Sequence, residues 1–155
     1  TNIPVTFGAV EKTAQMMLEK GIKPEIEVFH PAQYFVINSL IRQGLIQPPY
    51  IMQFIFGFQT AIYGTPWNVL AMINDLPKDS IFYCPGVGSA QLPMNVMGIL
   101  MGGHVRVGLE DNLYYKRGEL CLSSAQQVER VKRMCDLLDR PVASVSQARA
   151  MLGLA

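Results

Sequence analysis

Four hydrophobic segments alternate along the chain with stretches of helical periodicity. The strand-like segments are residues 23–29, 50–57, 80–86 and 104–110. In the first segment Glu25, Glu27 and Phe29 are expected on one face of a strand, with Ile26 and Val28 on the other. The second segment is hydrophobic almost throughout, as in a parallel strand covered on both faces. The repeat of roughly 25 to 30 residues is typical of a βα unit.

The remaining segments carry the apolar spacing of helices. Predicted helices cover residues 31–44, 65–76, 90–103, 123–140 and 144–154. Thr65 followed by Pro66 is a typical helix start, and Gly44 stands where a helix would end. In the helix 123–140, Ser124 and Gln127 have the spacing of a capping box. Its predicted apolar stripe consists of Val128, Val131, Met134, Cys135 and Leu138.

Two architectures fit this alternation of strands and helices. One is a small open α/β sheet, and the other is half of a (β/α)₈ barrel, which as a whole needs about 250 residues. No GxGxxG motif follows the first strand, and no GxxxxGK[ST] motif occurs anywhere. The segment GVGSAQ at 86–91 matches a glycine loop only loosely. An open nucleotide-binding sheet is therefore poorly supported.

Composition indicates one globular domain and argues against several classes of protein. The chain has 155 residues, of which 50% are hydrophobic and 16% charged. Its net charge of +1 gives no sign of a nucleic-acid-binding surface. No apolar run approaches the roughly 18 residues that cross a bilayer, and TNIPVTFGAV lacks the pattern of a signal peptide. Three cysteines without CxxC spacing favour reduced thiols, and hence a cytoplasmic protein.

Among the four predicted strands, only the first and the fourth carry Asp, Glu, Lys or Arg side chains. Arg106 and Glu110 share a face of the fourth strand. An arginine on an inward face is costly unless it meets an acid, and Glu25 and Glu27 of the first strand are available. A structural ion pair inside a barrel and an active site at its carboxyl-terminal end both fit this pattern.

The segment GLEDN at 108–112 carries the most specific candidate residues. Glu110 can bind a hard or borderline cation through carboxylate oxygen. Asp111 faces in a different direction, so it does not duplicate Glu110. The alternative is a loop in which Asp and Asn make turn hydrogen bonds. Of the two histidines, His30 is a candidate ligand, acid/base or helix-start residue, whereas His104 is expected at the opposite end of its strand in a structural role.

Several segments resemble the second half of the β-keto acid cleavage enzymes, a family first characterised in lysine fermentation. The resemblance runs from about residue 2 to 155, and its segments are GIKPEIEVF, QFIFG, GGHVRVGLEDNLYYKRGEL, SSAQQVERVKRM and RPVASVSQARAMLGL. It implies a zinc-dependent (β/α)₈ TIM barrel, assembled as a homotetramer. It also implies a reaction that condenses a β-keto acid with acetyl-CoA and then cleaves it in a retro-Claisen manner, yielding acetoacetate and a new CoA ester.

The resemblance also implies roles for individual residues. Glu110 matches the family's carboxylate zinc ligand. Arg106 matches the arginine that orients and activates the catalytic acid and the substrate, and Asp111 matches that acid. Glu27 matches a further active-site glutamate on the fifth barrel strand, whereas Glu25 receives no catalytic role.

The His-x-His pair that completes the family's zinc site is absent from this sequence. We therefore expect residues 1–155 to be the C-terminal half of a single TIM-barrel domain, with about strands 5–8, and the N-terminal half to be missing. Two copies of the chain closing a barrel together is an alternative. Two further functions stay open: a metal-dependent aldolase or lyase that uses no CoA, and a non-catalytic half-barrel that serves as a binding or assembly module.

Overall fold

A computed structural model describes residues 5–154. Residues 1–4 and 155 lie outside the described residues, and with them the outer bounds of the predicted domain and the first part of TNIPVTFGAV. The helices and strands are α1 (Phe7–Glu19), β1 (Glu25–Val28), a 3₁₀ helix (Pro31–Gln33), α2 (Tyr34–Arg42), β2 (Tyr50–Phe54), α3 (Pro66–Asn74), β3 (Ser80–Tyr83), a 3₁₀ helix (Gly88–Ala90), α4 (Gln91–Leu100), β4 (Tyr114–Lys116), β5 (Glu119–Leu120), α5 (Ser124–Leu137) and α6 (Val145–Met151). Within residues 5–154, no helix has the length and apolar character that a membrane crossing requires.

The three strands β1, β2 and β3 form a parallel sheet in that order. Each strand is followed by a helix, so the predicted βα alternation is confirmed for these units. The register places Glu27 beside Gln53 and Gln53 beside Tyr83. These three side chains therefore share one face of the sheet.

The hydrophobic core lies between the other face of the sheet and the helices. Val28, Met52 and Phe54 alternate with the polar row and are completely buried. They pack against residues of α2, α3 and α4, namely Tyr34, Ile37, Leu40, Val69, Met72 and Met94. Because α2, α3 and α4 pack on one face while polar side chains occupy the other, the structure is an α/β fold compatible with part of a TIM-barrel wall.

The predicted fourth strand, 104–110, is wrong beyond its first residue. His104 pairs with β3, since its N–H donates to Phe82 O at 2.8 Å and its carbonyl accepts from Cys84 N at 2.9 Å. The parallel ladder would continue with Arg106 N donating to Cys84 O, and that hydrogen bond is not formed. Beyond this point the buried Asn95 amide takes over, donating to Cys84 O and Arg106 O at 3.2 Å each.

Other differences from the sequence prediction concern helix boundaries and small elements. Helix α1 and the β4–β5 hairpin were not predicted. The N-cap of α5 is Ser123 rather than Ser124, and its hydroxyl accepts from Gln126 N. The predicted stripe of α5 is also partly wrong, because Val128 is 55% exposed while Gln127 is completely buried. The predicted helix start at Thr65 is confirmed, and Ser144 is the N-cap of α6.

Gly86, which follows β3 by three residues, has no room for a side chain. A Cβ there would lie 2.5 Å from the backbone carbonyl of Ala90, which cannot move without moving the start of α4. We expect Gly86→Ala to lower the free energy of unfolding by about 2 kcal/mol, as overpacking does elsewhere. Urea unfolding monitored by circular dichroism measures this change.

The matched control is Gly8→Ala in α1, where nothing lies within 4 Å of the added Cβ. Because alanine favours a helix over glycine, this variant is expected to be neutral or stabilised by about 0.5 kcal/mol. Equal stabilities for the two variants would contradict the packing described for Gly86.

Candidate functional site

The guanidinium of Arg106 is the centre of the candidate site. It binds Asp111 side-on, with Nε donating to Oδ2 at 3.1 Å and Nη2 to Oδ1 at 2.8 Å. Nη2 also donates to Glu110 Oε2 at 3.1 Å, and Nη1 lies 3.5 Å from Glu27 Oε1. The structure thus brings together all four residues that the sequence and the resemblance indicate.

Two separate parts of the chain supply these side chains. Glu27 projects from β1 on the face opposite the core. Arg106 lies two residues after His104, which pairs with β3. Glu110 and Asp111 lie in the turn that follows Arg106. In that turn the N–H groups of Asp111 and Asn112 both donate to Gly108 O, at 3.2 and 3.1 Å. The turn folds the two acids back onto the arginine that precedes them.

The three carboxylates differ in their exposure to solvent. The side chain of Asp111 is 8% exposed, that of Glu27 51% and that of Glu110 86%. The side-on pair with Asp111 is therefore the buried interaction, and the pairs with Glu27 and Glu110 are open to solvent. Buried, bidentate pairs of this kind hold geometry, whereas exposed pairs contribute little to stability.

The pKa of Arg106 reflects these neighbours. Partial burial by itself would lower the pKa of its guanidinium, but the hydrogen bond and charge of Asp111, followed by the charges of Glu110 and Glu27, outweigh it. The net effect raises the pKa above its ordinary value. Arg106 is therefore a permanent cation.

Gln53 is a residue of the site that the sequence analysis missed. Its side-chain oxygen accepts from Arg106 Nη1 at 3.2 Å, and its side-chain nitrogen donates to Glu25 Oε1. It is 6% exposed, although it carries a polar group within the apolar strand YIMQF. That single polar position in a buried strand was the available signal. Glu25 therefore reaches Arg106 only through Gln53.

The loop alternative for GLEDN holds for Asn112 but not for Asp111. Asn112 makes turn hydrogen bonds, since its Oδ1 accepts from Tyr114 N at 3.0 Å and its Nδ2 donates to Tyr114 O at 2.8 Å. Both oxygens of Asp111 instead face Arg106. Asp111 is thus held against a charge, in an arrangement that a turn alone does not require.

The two histidines lie outside the carboxylate cluster. His30 precedes the 3₁₀ helix Pro31–Gln33, as the helix-start alternative predicted. The prediction that His104 lies at the opposite end of its strand needs correction, because it pairs with Tyr83 in the row of Glu27 and Gln53. Its ring packs on Tyr83 with centroids 5.2 Å apart. Burial, assisted by the charge of Arg140, lowers its pKa and favours the neutral ring.

Within residues 5–154, no group of three or more His, Cys, Asp or Glu side chains is arranged to hold a metal ion. Glu110 nevertheless has the features of a single ligand, since it is exposed and only its Oε2 is paired with Arg106. With all three carboxylates ionised, three negative charges and one positive charge leave −2 around Arg106. That surplus favours a divalent cation beside Glu110.

The outer edge of β1 is open in the part of the chain that the structure describes. A groove of about 820 Å³ lies beside it, lined mainly by apolar residues of α1, β1 and α2 such as Phe7, Val10, Ile26 and Ile37. Glu27 and His30 also line this groove. An open strand edge next to apolar surface is the situation in which further strands or helices pack.

Comparison with known proteins identifies the family. The family model for beta-keto acid cleavage enzyme matches residues 2–154. A 3-keto-5-aminohexanoate cleavage enzyme from Acetoanaerobium sticklandii is 38% identical over 91% of this chain and 52% of its own length. One from Fusobacterium nucleatum is 36% identical over 96% and 54%. The 3-oxoadipate:acetyl-CoA acetyltransferase of Cupriavidus necator is 36% identical over 94% and 52%.

The chain thus spans about half the length of the curated relatives that it matches. The match covers every residue of the cluster around Arg106, together with the sheet and helices that position it. The resemblance stated from the sequence is therefore confirmed, and this chain belongs to the β-keto acid cleavage enzyme family.

Proposed function

We propose that this chain is the C-terminal half, about strands 5–8, of a TIM-barrel enzyme that cleaves a β-keto acid with acetyl-CoA. The products are acetoacetate and a new CoA ester. The observation that carries the proposal is the side-on pair of Arg106 and Asp111, with Glu110 and Glu27 on the same guanidinium. The names of relatives such as the 3-oxoadipate:acetyl-CoA acetyltransferase support acetyl-CoA as co-substrate.

In this proposal Asp111 is the general base. Its carboxylate takes a proton from the carbon between the keto and carboxylate groups of the substrate, and that carbon then forms a bond to the thioester carbon of acetyl-CoA. Coenzyme A leaves and then adds to the original keto carbon. The bond between the former α and β carbons breaks, which leaves the remainder of the substrate as a CoA ester and releases the enolate of acetoacetate. The proton that Asp111 took returns to this carbanion and gives acetoacetate.

Arg106 keeps the Asp111 carboxylate oriented until substrate arrives. A carboxylate held by two charge-assisted hydrogen bonds has a fixed direction, and in this proposal it accepts the proton once substrate displaces water from the site. Arg106 Nη1 would bind the substrate carboxylate in place of its long contact to the half-exposed Glu27. Glu27 balances the arginine charge on the sheet side.

Zinc is the metal proposed for the complete site. Glu110 would contribute one carboxylate ligand, and the exposed oxygen not paired with Arg106 and the surplus negative charge both support this role. Bound zinc would polarise the keto carbonyl of the substrate and offset the charge that develops on it. The remaining ligands are expected from the half of the protein outside this chain.

That other half is proposed to pack on the open edge of β1. The apolar groove beside α1 and β1 and the coverage of only half of each relative support this arrangement over pairing of two identical copies. Two identical copies would also still lack the histidines of the metal site. The homotetramer and the cytoplasmic location stay predictions, as does a place in lysine fermentation.

The proposed reaction is tested with the full-length protein that contains this chain. Incubation with acetyl-CoA and a panel of β-keto acids, 3-oxoadipate and 3-keto-5-aminohexanoate among them, should yield acetoacetate and a new CoA ester detectable by mass spectrometry. Chelation followed by gel filtration should abolish the reaction, and added zinc should restore it. Cleavage without acetyl-CoA would instead indicate a lyase, and a zinc-loaded protein that ignores every substrate would contradict the proposal.

Two substitutions separate the roles of Glu110 and Arg106. Glu110→Ala should lose zinc, measured by elemental analysis after dialysis, and activity together. Arg106→Ala should retain zinc but lose at least about 100-fold in kcat, because Asp111 loses its positioning charge. Glu129→Ala and Arg133→Ala are the matched controls, since these residues pair at 3.5 Å on the exposed face of α5. Zinc loss in Arg106→Ala, or full turnover in it, would contradict these assignments.

A further inference from the structure

Behind the two acids of the GLEDN turn, the side-chain amides of three residues form a ring of hydrogen bonds that closes through one backbone carbonyl, that of Asn112. Gln91 Nε2 donates to Gln127 Oε1 at 3.3 Å, and Gln127 Nε2 donates to Asn112 O at 2.7 Å. Asn112 Nδ2 donates back to Gln91 Oε1 at 3.2 Å. We call Gln91, Asn112 and Gln127 the amide ring. Gln91 and Gln127 are completely buried.

The amide ring joins three separate parts of the fold. Gln91 is the first residue of α4, Gln127 lies in α5, and Asn112 ends the turn that carries Glu110 and Asp111. Buried glutamines are uncommon and costly unless they are satisfied, so two of them at one point indicate a purpose other than core packing. Nonpolar residues of similar size would fill the same space without that cost.

The backbone of the turn is anchored on every side. Gly108 O accepts from Asp111 N and Asn112 N, and Asp111 O accepts from Gly88 N at 2.7 Å. The remaining anchors are Ser124 Oγ, which accepts from Leu109 N at 3.2 Å, and Gln127, which holds Asn112 O. Glu110 and Asp111 therefore project from a segment whose position is set by α4 and α5.

The amide ring makes none of its hydrogen bonds to Arg106, Glu110 or Asp111 side chains among the described residues. Its effect on the acids passes through the backbone of residues 108–112. Side-on pairing of Asp111 with Arg106 needs both carboxylate oxygens in the plane of the guanidinium, and a small rotation of the turn would leave only one contact. The position of the turn therefore determines whether Asp111 keeps both of its hydrogen bonds to Arg106.

We propose that Gln91, Asn112 and Gln127 are positioning residues that hold Asp111 and Glu110 in their working directions. This inference rests on the proposed function for its kinetic consequence, but its structural consequence is independent of it. Removing one amide should leave the fold and the four charged groups in place. It should loosen the turn, so that the proton-transfer step slows while substrate binding is retained.

The test is Gln127→Met in the full-length protein, because methionine matches the shape of glutamine without its hydrogen bonds. The matched control is Tyr34→Phe, which removes another buried hydrogen bond, from Tyr34 Oη to Met72 O at 2.7 Å, in the core away from the turn. Hydrogen–deuterium exchange of the peptide 106–113 is followed by mass spectrometry. Steady-state kcat and KM are measured on the same preparations.

In Gln127→Met the amides of residues 109–112 should exchange at least about fivefold faster, while Tyr34→Phe leaves them unchanged. In an active enzyme kcat should fall about tenfold or more with KM within about twofold, again without change in Tyr34→Phe. Unchanged exchange at 109–112, or faster exchange with unaltered kcat, would overturn the inference. An equal loss of kcat in both variants would also overturn it, since that result indicates general destabilisation.

The two proposals fail in distinguishable ways. If the wild-type protein has no cleavage activity, the proposed function is contradicted. The hydrogen–deuterium exchange of residues 109–112 would then be the test of the positioning role. If Gln127→Met does not fold, Asn112→Ala provides a milder variant, because Asn112 is only half-buried and the change removes its side-chain bond to Gln91 while keeping its backbone carbonyl. It should speed exchange at 109–112 and lower kcat, whereas wild-type exchange there would overturn the inference.

Discussion

One guanidinium organises the cluster of carboxylates in this structure. Arg106 is the only positive charge in contact with Glu27, Glu110 and Asp111 among the described residues, and Gln53 is oriented by it as well. Without that cation, three carboxylates would converge with no counter-charge, and the largely buried Asp111 would carry the greatest penalty. A partly buried arginine is costly unless acids pair with it, so its position constrains the turn that follows it and the strand residues opposite.

The fold meets this constraint by separating apolar and polar side chains across the sheet. Val28, Met52 and Phe54 bury one face against helices, so Glu27 and Gln53 necessarily occupy the other. The buried Asn95 amide bridges Cys84 O and Arg106 O where the segment after His104 leaves the sheet, and it thereby holds the backbone of Arg106. Arg106 is thereby fixed at its backbone by α4, while α4 and α5 fix its partner acids through the amide ring. Helices on the apolar side thus control geometry on the polar side.

Much of this arrangement could be predicted from the sequence, and the exceptions have physical reasons. Alternation of Glu25, Ile26, Glu27 and Val28 indicated both faces of β1, and an arginine near acids predicted the ion-pair cluster. The extent of the fourth strand was wrong because the side chain of Asn95, which lies in α4, takes the place of the next ladder hydrogen bond. Gln53 and Gln127 were missed because a glutamine has no spacing that reveals long-range partners. Zinc and the tetramer stay predictions.

The central claim is that Asp111, held by Arg106, is the base that takes a proton from the β-keto acid. The most direct measurement is deuterium incorporation at the carbon between the keto and carboxylate groups, followed by NMR in D₂O without acetyl-CoA. The zinc-loaded full-length protein should accelerate this exchange well above the spontaneous rate, and Asp111→Asn should return it to that rate. Equal acceleration by both proteins would show that another group is the base and would contradict the account.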